Sequence, residues 1–259
     1  DHSVPVLRFD DAAGKPIAIL YNCNVAPGCM EFSTVNGGRM VSGDLAGASQ
    51  RFVDEAYGGE SVSIYTTGYT GDQWQALRAR LDYIDRDGNQ IVTDLGEGGF
   101  QLVQVLATRL GEQVVHTAET IATAPLTDPI ALDCYRFTYP GQRVTASSES
   151  GPTRDCTYLP NGTQDAELKI LQIGDTAILA CGVELCSETA AAIQAGSPFA
   201  HTLFMEFATE GGGYMPEEIF YDRMSFQSRK SRYAKGSAER FREDILQSLR
   251  ASYDRHHTS

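Results

Sequence analysis

At 259 residues the chain has room for one large domain or two small ones, since single cores stop growing at roughly 250–300 residues. Hydrophobic residues make up 42% and charged residues 21%, ordinary globular values, and no apolar run approaches the ~18–20 residues of a membrane helix. The net charge of -13 repels phosphate backbones, and Lys and Arg are scattered except around Arg229, Lys230 and Arg232, which argues against a nucleic-acid partner.

From the N-terminus, Val6–Phe9 and Ile17–Tyr21 are short β-type runs around a polar turn, predicting a hairpin. A loop rich in Pro and Gly follows from Asn24 to Arg39. Helical spacing begins at Asp44, a residue suited to capping, and runs to Tyr57. Val62–Thr66 is a strand that ends at Gly68. The stretch from Gln73 to Ile84 is expected to be helical, and Phe100–Ile121 reads as a long amphipathic helix through Leu102, Val105, Leu106, Leu110 and Val114.

Ile130–Thr138 returns to strand. Residues 141–165, rich in Ser, Thr, Pro and Gly, are expected to form a long loop or lid. Leu168–Leu171 and Ala177–Ala180 flank Gly174-Asp175 as a second hairpin. A helix through Ala190–Ile193, a strand at Thr202–Phe207, the loop Gly211-Gly212-Gly213 and a charged helix from Ser237 to about Tyr253 complete the chain. The fold class is therefore α/β, with mixed α+β as the alternative: a single layered domain over residues 1–259, its mixed sheet flanked by helices.

The six cysteines, at 23, 29, 134, 156, 181 and 186, match no zinc-ribbon or CxxC spacing. They read as buried thiols or as one to three disulfides, with Cys134–Cys156 and Cys181–Cys186 the easiest local pairs. The sequon Asn161-Gly162-Thr163 sits in a polar loop. Asp85-Arg86-Asp87-Gly88-Asn89 fails as a calcium loop, with Gln90 at its sixth position and Gly96 at its twelfth, and reads as a solvated turn. The opening Asp1-His2-Ser3-Val4-Pro5 carries no signal-peptide pattern, so secreted and cytoplasmic locations both fit.

Three blocks in order carry a resemblance. The first runs from Ile17 to Asp72 and includes Ala26-Pro27-Gly28, Ser42-Gly43-Asp44-Leu45-Ala46-Gly47 and Thr67-Gly68-Tyr69-Thr70-Gly71-Asp72. The second is Leu179-Ala180-Cys181-Gly182-Val183-Glu184. The third is Gly213-Tyr214-Met215-Pro216-Glu217-Glu218, followed by Ser231–Glu239. Together they resemble the later part of the catalytic domain of neutral/alkaline (non-lysosomal) ceramidases, without that family's N-terminal portion.

The resemblance implies a hydrolase acting on an amide bond through zinc-activated water. Glu184 and Tyr214 would be metal ligands, Asp44 and Asp72 catalytic residues, and Gly71, Trp74 and Gly213 substrate-lining positions. The substrate would be a small or lipid-like amide, not necessarily ceramide, and a second polypeptide could supply the missing portion. Two departures bear on this. Ala26 stands where the family has a zinc-binding His, and a methyl group donates no lone pair. Gln73-Trp74-Gln75 replaces the family's serine block.

Ordinary roles stand beside each of these. Glu184 could cap the helix at Ser187, Asp44 its own helix, and Asp72 a helix beginning at Gln73; Tyr214 could pack beside the glycines. The alternative function is a metal-free, non-catalytic relative that binds a ligand or partner, or serves as a subunit of a larger assembly.

Overall fold

The computed structural model describes residues 3–127, 130–146 and 153–257. Its backbone divides into two compact units: His2–Thr66 with Trp74–Ala124, here the N-terminal unit, and Thr67–Gln73 with Pro125–Ser259, here the C-terminal unit.

In the N-terminal unit, β1 (Val6–Asp10) and β2 (Pro16–Cys23) form the expected antiparallel hairpin, and β3 (Val62–Thr67) completes a sheet of order β1-β2-β3. The turn is held by Asp11, whose Oδ1 accepts the N–H groups of Ala13 and Lys15. Helices α1 (Asp44–Ala56) and α2 (Gly99–Thr120) pack closely: a Cβ at Gly111 would lie 2.4 Å from the Phe52 ring, so only glycine fits. The buried face of α2 runs Val103, Ala107, Gly111, Val114 and Ala118, a helical stripe. Part of it joins Ile19, Tyr21 and Val53 in one apolar cluster, and part joins Cys29, Leu45 and Ala48 in another.

The helix expected over Gln73–Ile84 does not form. Instead β4 (Arg80–Ile84) pairs antiparallel with β5 (Gln90–Asp94). The intervening turn decides this: Asp85 Oδ1 accepts N–H bonds from Asp87 (2.9 Å) and Asn89 (2.8 Å), and Gly88 takes the left-handed φ of 85° the turn requires. Tyr83, Ile84, Ile91 and Val92, residues that favour strands, then zip the arms.

In the C-terminal unit, β6 (Ile130–Ala146), β7 (Cys156–Ile173), β8 (Thr176–Cys181) and β10 (His201–Met205) form a mixed sheet of order β10-β8-β7-β6. The β8–β10 pair is parallel and the others antiparallel. Helix α6 (Ser237–His257) buries Phe241, Ile245 and Leu249, spaced four apart, in the cluster containing Leu168, Ile170 and Leu179. Helix α3 (Ser187–Gly196) adds Ala190 and Ile193 to the same core. The fold is α/β, with mixed sheets flanked by helices.

One expectation is corrected here, and of the two readings of the cysteines the free-thiol one holds. Residues 141–146 and 156–165 are not loop or lid but the outer arms of the β6–β7 ribbon, in register from Gln142↔Pro160 to Ala146↔Cys156; residues 147–152 lie outside the described set. Ser- and Thr-rich composition suggested a loop, yet Val144 opposite Tyr158 and Thr145 opposite Thr157 are good cross-strand pairs, and pairing satisfies the main chain. The sequon at Asn161 thus lies on β7. The cysteines are all free thiols, so neither local disulfide forms; Cys134 and Cys156 stand at different stations of the ribbon, opposite Lys169 and Ala146 respectively.

Candidate active site

The two strongest sequence candidates meet on one ladder. Strands β9 (Val183–Leu185) and β11 (Gly213–Met215) pair in parallel with Tyr214 and Glu184 as register partners. Neighbouring strands lie about 4.8 Å apart and paired residues project to the same face, so the phenol and the carboxylate leave the ladder side by side. Gly211, Gly212 and Gly213 approach this ladder with φ values of 96°, 137° and 87°, backbone that residues with a Cβ rarely adopt. On its other flank the Tyr214 ring meets Phe226 edge-on at 5.8 Å.

The Gly71-Asp72 turn abuts the same strand end. Gly71 donates its N–H to Leu185 O at 2.8 Å, and a Cβ there would lie 2.8 Å from that carbonyl. Asp72 then reaches the start of α3: Oδ1 accepts the Ser187 N–H at 2.8 Å and Oδ2 accepts its hydroxyl at 2.7 Å. Asp72 therefore caps α3 and not a helix at Gln73, where none exists. The capping role open to Glu184 at Ser187 is filled by Asp72.

Two acids that sequence reasoning passed over complete the surroundings. Glu206, buried just after β10, accepts N–H bonds from Leu185 (2.6 Å) and Thr70 (2.9 Å) and the Thr70 hydroxyl (2.9 Å). Burial pushes its carboxyl well above the usual carboxylate range, against the pull of those donors and helped by the nearby Glu184 charge. Glu217 Oε1 accepts the N–H (2.8 Å) and hydroxyl (2.7 Å) of Thr189, while its Oε2 is buried without a partner among the described residues. The signal was available: an acid closing an apolar run, as in Leu203-Phe204-Met205-Glu206, must find donors if it is buried.

The remaining candidates belong to the N-terminal unit. Asp44, at φ 47°, spans from α1 to the Pro/Gly loop: Oδ1 accepts the N–H groups of Cys29 (3.0 Å) and Leu45 (2.6 Å), and Oδ2 that of Met30 (2.8 Å). Ala26 O in that loop accepts from Gln75 Nε2 at 2.8 Å, and Gln75 Oε1 accepts the Cys29 thiol. Trp74 lies under the Arg78 guanidinium, 5.1 Å from its ring centroid.

Zinc hydrolases use about three protein ligands plus a water. Glu184 and Tyr214 offer two oxygens. Cys181 and Cys186 are held as neutral thiols by burial, reinforced at Cys186 by Glu217 and Asp72, so neither is a ready thiolate. Among the described residues no group of three or more His, Cys, Asp or Glu side chains is arranged to hold a metal ion. These residues alone do not fit zinc.

No protein-family model matches the chain, and no curated protein matches it. Solved structures do. Neutral ceramidase from Pseudomonas aeruginosa superimposes with a TM-score of 0.67 at 12% identity, over 97% of this chain and 46% of that one. A structure described as ceramidase complexed with C2 gives the same score and identity over 97% and 48% respectively. The chain has the ceramidase fold and spans about half the length of those structures.

Proposed function

We propose that the chain carries a ceramidase-like hydrolase site acting on an amide bond, centred on Glu184 and Tyr214. The observation that carries this reading is their register pairing, which delivers a carboxylate and a phenol to one face beside a glycine-built approach. Glu184 takes a proton from the attacking water as its oxygen bonds to the amide carbon. The Tyr214 hydroxyl donates to the carbonyl oxygen as that oxygen gains charge. Collapse breaks the C–N bond, and the proton held by Glu184 passes to the departing amine. Asp72 positions the centre by tying the 71–72 turn to the first turn of α3.

The ceramidase likeness supports the reaction class and leaves the acyl and amine portions open. A second reading, a metal-free relative that binds a ligand without turnover, is favoured by the short donor set described above.

The test is hydrolysis of a panel of N-acyl amides of varied chain length, with elemental analysis of the same samples. Turnover that falls about 100-fold or more in Glu184→Gln supports the hydrolase reading. Binding of a panel member without turnover, in the chain as it is and in Ala26→His loaded with zinc, replaces it with the binding reading.

A further inference from the structure

Strand β10 runs into an acid that the hydrolytic steps leave unused. Glu206 follows the apolar run Leu203-Phe204-Met205, and its side chain turns into the C-terminal unit, where the residue is 3% exposed. Taking a carboxyl group out of water is costly unless donors replace the water. Four bonds do so: the main-chain N–H donates to Thr67 O at 2.9 Å, Oε1 accepts the Leu185 N–H at 2.6 Å, and Oε2 accepts the N–H and the hydroxyl of Thr70, each at 2.9 Å.

These bonds converge on the residue after Glu184. Leu185 gives its N–H to Glu206 and receives the Gly71 N–H on its carbonyl at 2.8 Å, so both of its main-chain polar groups are held. Thr70 and Gly71, adjacent in the turn after β3, are thus tied to Leu185 twice, once directly and once through the Glu206 carboxyl. Leu185 is the register partner of Met215 as Glu184 is of Tyr214, so this clamp sets where the Glu184–Tyr214 rung stands against the turn.

The backbone beyond Glu206 is built to hold it there. Phe207 takes a left-handed φ of 59°, a conformation that a bulky residue rarely adopts. Such strain persists where the surroundings over-determine it, and here the bonds of Glu206 precede it while the Ala208 N–H donates to Cys181 O at 3.0 Å just after it. A Cβ on Gly182 would lie 2.7 Å from the carbonyl oxygens of Thr209 and Glu210, so the segment after Glu206 presses on the chain that leads into β9.

We infer that Glu206 is a positioning residue for the Glu184–Tyr214 centre: its carboxyl locks Leu185 to the Thr70-Gly71 turn and so fixes the direction in which Glu184 presents its own carboxylate. Its effect on turnover rests on the hydrolase reading; its effect on the placement of Glu184 does not. Misplacing a reacting group by about 1 Å can cost on the order of 100-fold in rate, which gives the clamp its consequence.

The experiment compares the parent chain with three variants. Glu206→Gln keeps the shape but puts an amide nitrogen, which accepts no hydrogen bond, in place of one oxygen; Glu206→Asp keeps the acid but shortens its reach by a methylene; Thr70→Val, the mildest, removes only the hydroxyl bond. Amide turnover and the side-chain carboxyl-carbon NMR resonance of Glu184, assigned by its loss in Glu184→Gln, are followed at a temperature where all the proteins are folded. Glu206→Gln and Glu206→Asp should each lower kcat about 10–100-fold with KM changed less than about twofold, and Thr70→Val should lower it about threefold. The Glu184 resonance should shift or broaden in Glu206→Asp. Added to Glu184→Gln, Glu206→Gln should cost nothing further, because a positioning residue acts through the group it places. Unchanged turnover in both Glu206 variants, or a full second loss on top of Glu184→Gln, overturns the inference. A parent chain without amide turnover removes the hydrolase reading instead, and the resonance then decides: a Glu184 signal in Glu206→Asp identical to the parent's overturns the positioning role, and a displaced one upholds it.

Discussion

Asp72 and Ser187, 115 residues apart in sequence, are joined through both carboxylate oxygens, one to the Ser187 N–H and one to its hydroxyl. A turn after β3 thereby supplies the cap of α3, a helix whose own N-cap residue, Cys186, makes no side-chain cap bond. Replacing Asp72 with Ala leaves an N–H and a hydroxyl without their acceptor, and caps of this kind contribute about 1–2 kcal/mol. Asp72→Ala should lower the unfolding free energy by that amount in urea. Asp72→Asn, which keeps one acceptor, should lower it less.

Glu206 sets a pH dependence. Its folded-state pKa is raised chiefly by burial, so the native state holds the proton more tightly than the unfolded state does. Its stabilising contribution is complete below the ordinary glutamate range and is lost as pH rises through the raised value. The slope approaches about 1.4 kcal/mol per pH unit while only the native state is protonated. Urea unfolding from pH 4 to 8 should show this decline. Glu206→Gln should remove its share of the slope, and an unchanged profile would mean that Glu206 is not the group responsible.

Gly71 is required for space. Its Cβ position lies 2.8 Å from both the carbonyl carbon and the oxygen of Leu185, backbone atoms that a flexible side chain cannot yield for. Gly71→Ala should cost about 1–3 kcal/mol, the usual range for overpacking. Because the displaced strand carries Glu184, the variant should also lose amide turnover; thermal melts alongside activity at a temperature where both proteins are folded separate the two effects.

Asp44 ties a loop to a helix. Asp44→Ala strands the N–H groups of Cys29 and Met30, and a loss of about 2 kcal/mol is expected, with faster amide hydrogen exchange over residues 26–31. Exchange that accelerates only within α1 would reduce Asp44 to an ordinary helix cap. Cys29 reports on the same loop: burial and Asp44 push its thiol up to about 12, so it should resist alkylation at pH 8 in the parent chain and react faster in the variant.

Local patterns announced most elements. The helical span of α2, the polar turn between β1 and β2, and the Gly174-Asp175 hairpin depend on periods and turn residues confined to a few positions, although the apolar face of α2 is displaced from the one expected: of Leu102, Val105, Leu106, Leu110 and Val114 only Val114 lies on the buried stripe Val103, Ala107, Gly111, Val114 and Ala118, and Val105 is exposed. The helix expected over 73–84 does not form, and the loop expected at 141–146 and 156–165 is strand, because pairing with a partner strand outweighs the local pattern. Asp85 and Gly88 build a turn that selects strands on both sides, and the outer ribbon is stabilised by a partner strand rather than by its own residues.

The site divides the same way. Sequence by itself determined the residue types available and the α/β class, and the family resemblance singled out Glu184 and Tyr214; that the two are register partners on one ladder came from the fold. Tertiary structure alone decided what each acid does. Asp72 caps α3 through Ser187, and Glu206 and Glu217 sit buried near the same helix start. A carboxylate or guanidinium takes its role from the donors, acceptors and charges that folding brings within about 3–5 Å, and that distance is unrelated to separation along the chain.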